Sequence, residues 1–231
     1  MRTFLFVSIV LAACGTAVGQ QNLDLAQMHN WTIVVAKDAI PSEQYAAEEF
    51  QGLFRQAAGL DLPIQNAAPK STGNIFIGPG AGLAASPVAL QVDDLGEEGL
   101  RIRIQADNIA IAGGRPRGTL YGVYEFMEKY LGIRFLTFDH TYIPQKTSWS
   151  IPCEDYQYIP PFSFRWSYYK ENADHPEFAA KLRVNTTTTD EKIGGITRQS
   201  LINHSLYRLL PVEQFGKDHP EYFALVDGKR V

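Results

Sequence analysis

Residues 109–136 read IAIAGGRPRGTLYGVYEFMEKYLGIRFL, and two changes of hydrophobic period inside that stretch decide the fold. Ile109-Ala110-Ile111-Ala112 is a short apolar run of the length and composition of a buried strand. Leu120, Val123, Tyr124, Met127 and Leu131 then recur at i, i+3, i+4, i+7 and i+11, which is one face of a helix. Gly132 ends that helix, because glycine enters the left-handed C′ conformation without a Cβ penalty, and Ile133–Leu136 returns to strand. The same grammar occurs upstream. Trp31–Ala36 is a β-branched strand, and Pro41-Ser42 opens a helix with Ser42 as the expected N-cap and Glu43 at its positive end. Ala46, Phe50, Leu53, Phe54 and Ala57 form its apolar face, Gly59 stops it, and Leu62-Pro63-Ile64 leaves as an edge strand.

Between these two units lie Asn74–Ile77, a short strand closed by Gly78-Pro79-Gly80, and a Gly/Ala/Pro-rich connection to about Glu98. Leu100, Ile102 and Ile104 alternate with Arg101 and Arg103, a strand with one solvated face, and Asp107-Asn108 supplies the turn into the strand 109–112. The expected fold is α/β (α+β): a mixed sheet covered by two helices, with 142–151 adding short strands or an extended edge. Pro152, Pro160 and Pro161 read as a linker. Beyond it the texture changes to aromatic FSFRWSYY and polar NTTTTDEK, without a hydrophobic repeat complete enough for an independent core.

The first residues, MRTFLFVSIVLAACGTAVGQQ, carry one positive charge at Arg2, an apolar stretch from Phe4 to Ala13, and small residues after it. That is the order of a secretory signal, and the apolar run is shorter than the ~20 residues of a membrane span. Two routes stay open: cleavage after Gly19, giving a secreted or periplasmic protein, or lipidation at Cys14, since Leu11-Ala12-Ala13-Cys14 resembles a bacterial lipobox. Cys153 is then the one cysteine left for the folded part, so no internal disulfide is expected. The charge balance, 21 Lys and Arg against 25 Asp and Glu, has no basic cluster and argues against nucleic acid or an anionic membrane surface as partner. Oligomeric state is not legible.

Ala112-Gly113-Gly114-Arg115-Pro116-Arg117-Gly118-Thr119 joins a strand to a helix N-terminus, where anions can bind, but it lacks GxGxxG and the P-loop Lys-Ser/Thr. A turn that lets helix and sheet approach closely is the preferred reading. Asp190-Glu191 are adjacent carboxylates. Neighbours on a strand face opposite ways, so a solvated loop is preferred over a glycosidic acid/base pair. His29, His140, His175, His204 and His219 show no metal-ligand spacing, so neither metal nor organic cofactor is expected. Cys153 has no histidine nearby in sequence and reads as a small buried or half-buried residue.

Three stretches carry a family resemblance. GTLYGVYEF at 118–126, with YLGIRF at 130–135 and IVVAKDAIPSEQYAAEEF at 33–50, resembles the non-catalytic N-terminal α/β domain of family 20 hexosaminidases and family 67 α-glucuronidases. Pro161-Phe162-Ser163-Phe164-Arg165-Trp166 resembles the first strand of the (β/α)8 barrel that follows that domain, where an arginine binds sugar hydroxyls. Trp166 replaces the motif's glycine, and Tyr168-Tyr169 depart from its acidic continuation. The tail from His204 through HPEYFALVDGKR is similar to the domain of unknown function 4838, found mostly in exported bacterial proteins with a hydrolase-like barrel.

With the signal peptide read at 1–19, the resemblance implies an accessory domain at 22–158 and the truncated start of a barrel at 159–231. It implies Arg165 as a sugar contact and His204 as a pocket residue. A barrel takes ~250 residues and carries its active site at the ends of several strands, so the catalytic carboxylates are expected to be absent here. The functional expectation is the N-terminal portion of an exported glycoside hydrolase-like protein, α-glucuronidase- or hexosaminidase-like, acting on oligo- or polysaccharide without a cofactor. The rival is a non-catalytic carbohydrate-binding or cell-surface module in which Trp166, Tyr168 and Tyr169 stack on sugar faces.

Overall fold

The computed structural model describes residues 21–145, 150–186, 188–198 and 204–230. The signal segment 1–19, including Cys14, lies outside the described residues. A first compact unit runs through Gly195 and a second holds residues 196–231. The first contains β1 (Asn22–Asp24), β2 (Thr32–Val35), α1 (Pro41–Ala58), β3 (Ile64–Gln65), β4 (Asn74–Ile77) and α2 (Ala81–Ala84). It continues with β5 (Leu100–Ile104), β6 (Asn108–Gly113), α3 (Gly118–Leu131), β7 (Arg134–Thr137), β8 (His140–Tyr142), β9 (Ser150–Pro152), β10 (Asp155–Tyr158), α4 (Lys170–Asp174) and α5 (Pro176–Lys181).

Six strands form one mixed sheet in the order β10-β5-β6-β4-β2-β3. β6, β4, β2 and β3 run parallel to one another, while β5 is antiparallel to both β6 and β10. Every residue of β2, β4 and β6 is buried, which is why their sequences TIVV, NIFI and NIAIAG do not alternate: strands covered on both faces need apolar side chains on both. Ile33, Ile75, Ile109 and Ile111 point to the face covered by α1 and α3, where Phe50 meets Phe54 and Phe126 with ring centroids 5.3 and 5.4 Å apart. Val34, Phe76, Ala110 and Ala112 point to the other face, against Leu83, Val88 and Leu90 of the connection after β4. The expected sheet covered by two helices is present, with both helices on one face.

Both glycine stops are where the pattern puts them, with Gly59 and Gly132 left-handed at φ 72° and 67°. Three local expectations change. Ser42 does not cap α1: the cap position is Ile40, whose N–H is satisfied by the Glu43 carboxylate at 3.1 Å, and the buried Ser42 hydroxyl instead donates to the Pro116 carbonyl at 2.5 Å. The strand after α3 does not join the main sheet, since β7 pairs with β8. The stretch between Pro152 and Pro160, read as linker, contains the edge strand β10, held because Asp155 sits opposite Arg103 and takes the guanidinium groups of Arg101 and Arg103 at 2.8 and 2.5 Å.

Residues 162–169 carry no strand pairing, and α4, α5 and a turn at Glu191–Ile193 follow, burying Asn172, Ala179, Ala180, Asn185, Thr186 and Ile193. The second unit contains α6 (Leu206–Leu209), α7 (Val212–Phe215) and a hairpin of β11 (Leu225–Val226) and β12 (Lys229–Arg230). Its turn is Asp227-Gly228, both at positive φ, as a two-residue hairpin of the right twist demands. No helix of the described residues is long and apolar enough to cross a membrane.

Candidate functional site

The turn from β6 to α3 is pressed against the loop 95–99, backbone on backbone. A Cβ on Gly113 would lie 2.5 Å from the Gly99 carbonyl oxygen, and one on Gly114 would lie 1.4 Å from that of Gly96. The Glu97 carbonyl accepts the N–H groups of Arg117 and Gly118, both at 3.2 Å. Those donors at the helix start are therefore used internally, which favours the structural reading of Ala112–Thr119 over an anion site.

This close seating drives the Arg117 side chain inward, where it is 3% exposed. Its Nε donates to Glu98 Oε1 at 2.8 Å, Nη2 to Glu97 Oε2 at 3.1 Å and Nη1 to the Gly194 carbonyl at 3.0 Å. Glu98, also buried, accepts from Asn185 Nδ2 at 2.9 Å. Its Oε2 lies 2.5 Å from Arg165 Nη2, close enough to pair although not aligned as a hydrogen bond. The Asn185 Oδ1 in turn accepts the Arg165 backbone N–H. One carboxylate thus ties the loop 95–99, the start of α3 and the segment 165–185 into a polar hub. Beside it opens a cleft of about 200 Å³ lined by Glu97, Glu98, Ile159, Pro160, Phe162 and Ser163 among others.

Arg165 is placed at this hub with Nε and Nη2 donating to the Arg183 carbonyl and Nη1 to that of Phe162, while Nη2 is also ion-paired with Glu98. Trp166 is half-buried with its ring 4.3 Å from that of Tyr168, and Tyr168 and Tyr169 are exposed. His204 belongs to the second unit, where it is exposed at a positive φ of 45°. Asp190 caps the Glu191–Ile193 turn by accepting the Lys192 N–H at 2.9 Å, so this acidic pair is a turn on the surface. Among the described residues no group of three or more His, Cys, Asp or Glu side chains could hold a metal. Cys153 is half-buried, and burial pushes its thiol up.

Glu98, Arg117 and Asn185 were not singled out by the sequence, and no periodicity could have done so: isolated polar residues in a loop, a turn and a polar tract give no sign that the chain brings them together. A second polar set surrounds α3. Tyr124 donates to Glu49 at 3.0 Å, Tyr130 to Glu154 at 2.6 Å and Tyr156 to Glu125 at 3.0 Å. Burial, then the adjacent carboxylate, raises all three phenols, Tyr156 being pushed up to about 12. Each phenol holds its proton more tightly folded than unfolded, so the unfolded chain deprotonates first as pH rises. The stabilisation is intact below about pH 10 and is lost as pH climbs through the folded value. Thermal melts across the alkaline range should fall from there, in step with tyrosinate absorbance, and less steeply for Tyr156→Phe. Rising stability over that range would contradict the assignment.

Residues 17–127 match the family model described as glycosyl hydrolase family 20, domain 2, and residues 135–231 match the Domain of unknown function (DUF4838). The two matches follow one another along the chain. No curated protein matches it. Among solved structures, a family GH115 4-O-methyl-α-glucuronidase with specificity for decorated arabinogalactans superposes at a TM-score of 0.53 and 13% identity, over 78% of this chain and 29% of that one. The GH20 β-N-acetylhexosaminidase of Streptomyces coelicolor A3(2) gives 0.45 and 16% over 64% of this chain and 25% of that one. The β-N-acetylhexosaminidase of Bacteroides fragilis NCTC 9343 gives 0.43 and 15% over 72% and 29%. At these identities the likeness to the GH115 enzyme shows the fold alone. The chain spans between a quarter and three-tenths of the length of these glycosidases.

Proposed function

We propose that this chain is the N-terminal, non-catalytic portion of an exported glycoside hydrolase-like protein acting on oligo- or polysaccharide, α-glucuronidase-like or hexosaminidase-like, in which residues 159–231 lead into a (β/α)8 barrel. The observation that carries the reading is the family 20 domain-2 fold joined to DUF4838 sequence. The side chains support the non-catalytic part. Glycoside hydrolysis needs two carboxyl groups about 5–9 Å apart across the scissile bond. The buried carboxylates among the described residues, Glu43 and Glu98, are instead each bound to arginine. Export proceeds through cleavage after Gly19 or lipidation at Cys14, and the mass of the mature N-terminus separates the two routes.

The isolated 231-residue chain should show no turnover of aryl glycosides of N-acetylglucosamine or glucuronic acid above the uncatalysed rate. A measurable rate that follows the purified chain would overturn the reading. The carbohydrate-binding alternative draws on one observation, the exposed Tyr168 and Tyr169 beside Trp166.

A further inference from the structure

In the main sheet, neighbouring parallel strands send their connections to opposite faces. The segments after β2 and β6 enter α1 and α3 on the face of Ile33 and Ile111, whereas the segment after β4 crosses to the face of Val34 and Phe76. Chains that part in this way open a crevice outside the carboxyl ends of the strands, the general location of ligands in open α/β sheets. A crevice of about 460 Å³ is present there, within the range of small-molecule sites, and is lined by Asp38 after β2, Pro79 and Gly80 after β4, Gly114 and Arg115 after β6, and Asp93 of the crossing segment.

Arg115 is fixed from beneath. Its Nε and Nη2 donate to the two oxygens of Glu43 at 2.8 and 3.0 Å, and Glu43 is 1% exposed while the arginine side chain is about half exposed. Its Nη1 is not used by Glu43. Among the described residues Asp38 and Asp93 have no hydrogen-bond or ion-pair partner, and Asp38 is near enough to reinforce the charge of Arg115. The crevice therefore presents two carboxylates as acceptors and one rigid guanidinium as donor, with the Pro79 ring and Val92 as its apolar wall.

We propose that this crevice is a binding site for a neutral saccharide unit. Two carboxylates against one arginine already matched by Glu43 repel an anion. A simple cation could be held by Asp38 and Asp93 but would offer no acceptor to the Arg115 Nη1 donors that Glu43 leaves unused. Hydroxyl groups, which both donate and accept, satisfy both kinds of side chain at once. The saccharide class rests on the glycoside hydrolase-like reading above; the crevice and its neutral selectivity rest on the geometry. The site is separate in sequence and lining from Arg165 and Trp166.

The test is an amide chemical-shift titration of the full chain with galactose, xylose and N-acetylglucosamine, and with glucuronate at the same concentrations. At least one neutral sugar should shift the amides of Gly80, Gly114 and Arg115, and glucuronate should bind about tenfold or more weakly. The double substitution Asp38→Asn with Asp93→Asn, at exposed side chains, should weaken the neutral sugar about tenfold, the loss of charged hydrogen-bond acceptors, without moving the melting temperature. Silence at these amides with every sugar, shifts confined to 166–169, equal binding of glucuronate, or unchanged binding by the double variant would each overturn the site. Turnover of aryl glycosides by the chain would sink the non-catalytic reading and leave the crevice standing, so the two failures are distinguishable.

Discussion

Replacing Glu98 by alanine should cost about 3–5 kcal/mol of folding stability, the usual penalty for removing one partner of a buried ion pair. Arg117 is 3% exposed and would lose its best-placed carboxylate. Arg165 would lose its only carboxylate partner among the described residues, and the Asn185 amide one acceptor. Glu97 provides the control on the same loop: it also meets Arg117, at 3.1 Å, but its side chain is 73% exposed. Glu97→Ala should therefore cost no more than about 1 kcal/mol. Denaturant unfolding of both variants measures the difference, and hydrogen exchange adds a local readout. Amides of 165–186 should exchange faster in Glu98→Ala, because this segment is tied to the sheet unit through the lost carboxylate. Equal costs for the two substitutions would mean that the hub does not hold the segment.

The sheet and its two helices were legible because burial on a sheet imposes periodicity. Strands covered on both faces must be apolar over their buried length, as residues 33–35, 75–77 and 109–112 are, and each covering helix must carry one apolar stripe and end at a residue tolerant of positive φ. The edge strand at Asp155–Tyr158 was not legible, because its place is set by a long-range pair between Asp155 and two arginines some fifty positions away. The Ser42 hydroxyl illustrates the same limit: locally it has the form of a cap, but the Pro116 carbonyl, distant in sequence, takes it. Arg165 was picked out by a motif that says what such an arginine contacts in other chains. It could not show that Glu98, from a connection with no periodicity, would meet it.

Gly114→Ala should destabilise the chain by more than about 3 kcal/mol, at or beyond the upper end of ordinary overpacking, and in the extreme prevent folding. The added Cβ would stand 1.4 Å from the Gly96 carbonyl oxygen and 2.6 Å from its carbon, and backbone atoms cannot swing aside as a side chain can. Relief would require the loop 95–99 to lift from the turn. That would break the Gly114 N–H bond to Gly99 O at 3.0 Å and the two bonds to the Glu97 carbonyl, and draw Glu98 away from Arg117. The contrast is Gly52→Ala in the interior of α1, where the new Cβ meets nothing within 4 Å. There the methyl group reduces the freedom of the unfolded chain and should stabilise by roughly 0.5–1 kcal/mol. The same chemical change is thus expected to move the melting temperature in opposite directions at the two positions. A Gly114→Ala protein that melts at or above the parent temperature would mean that the loop does not sit on the turn, and the hub built on that seating would fall with it.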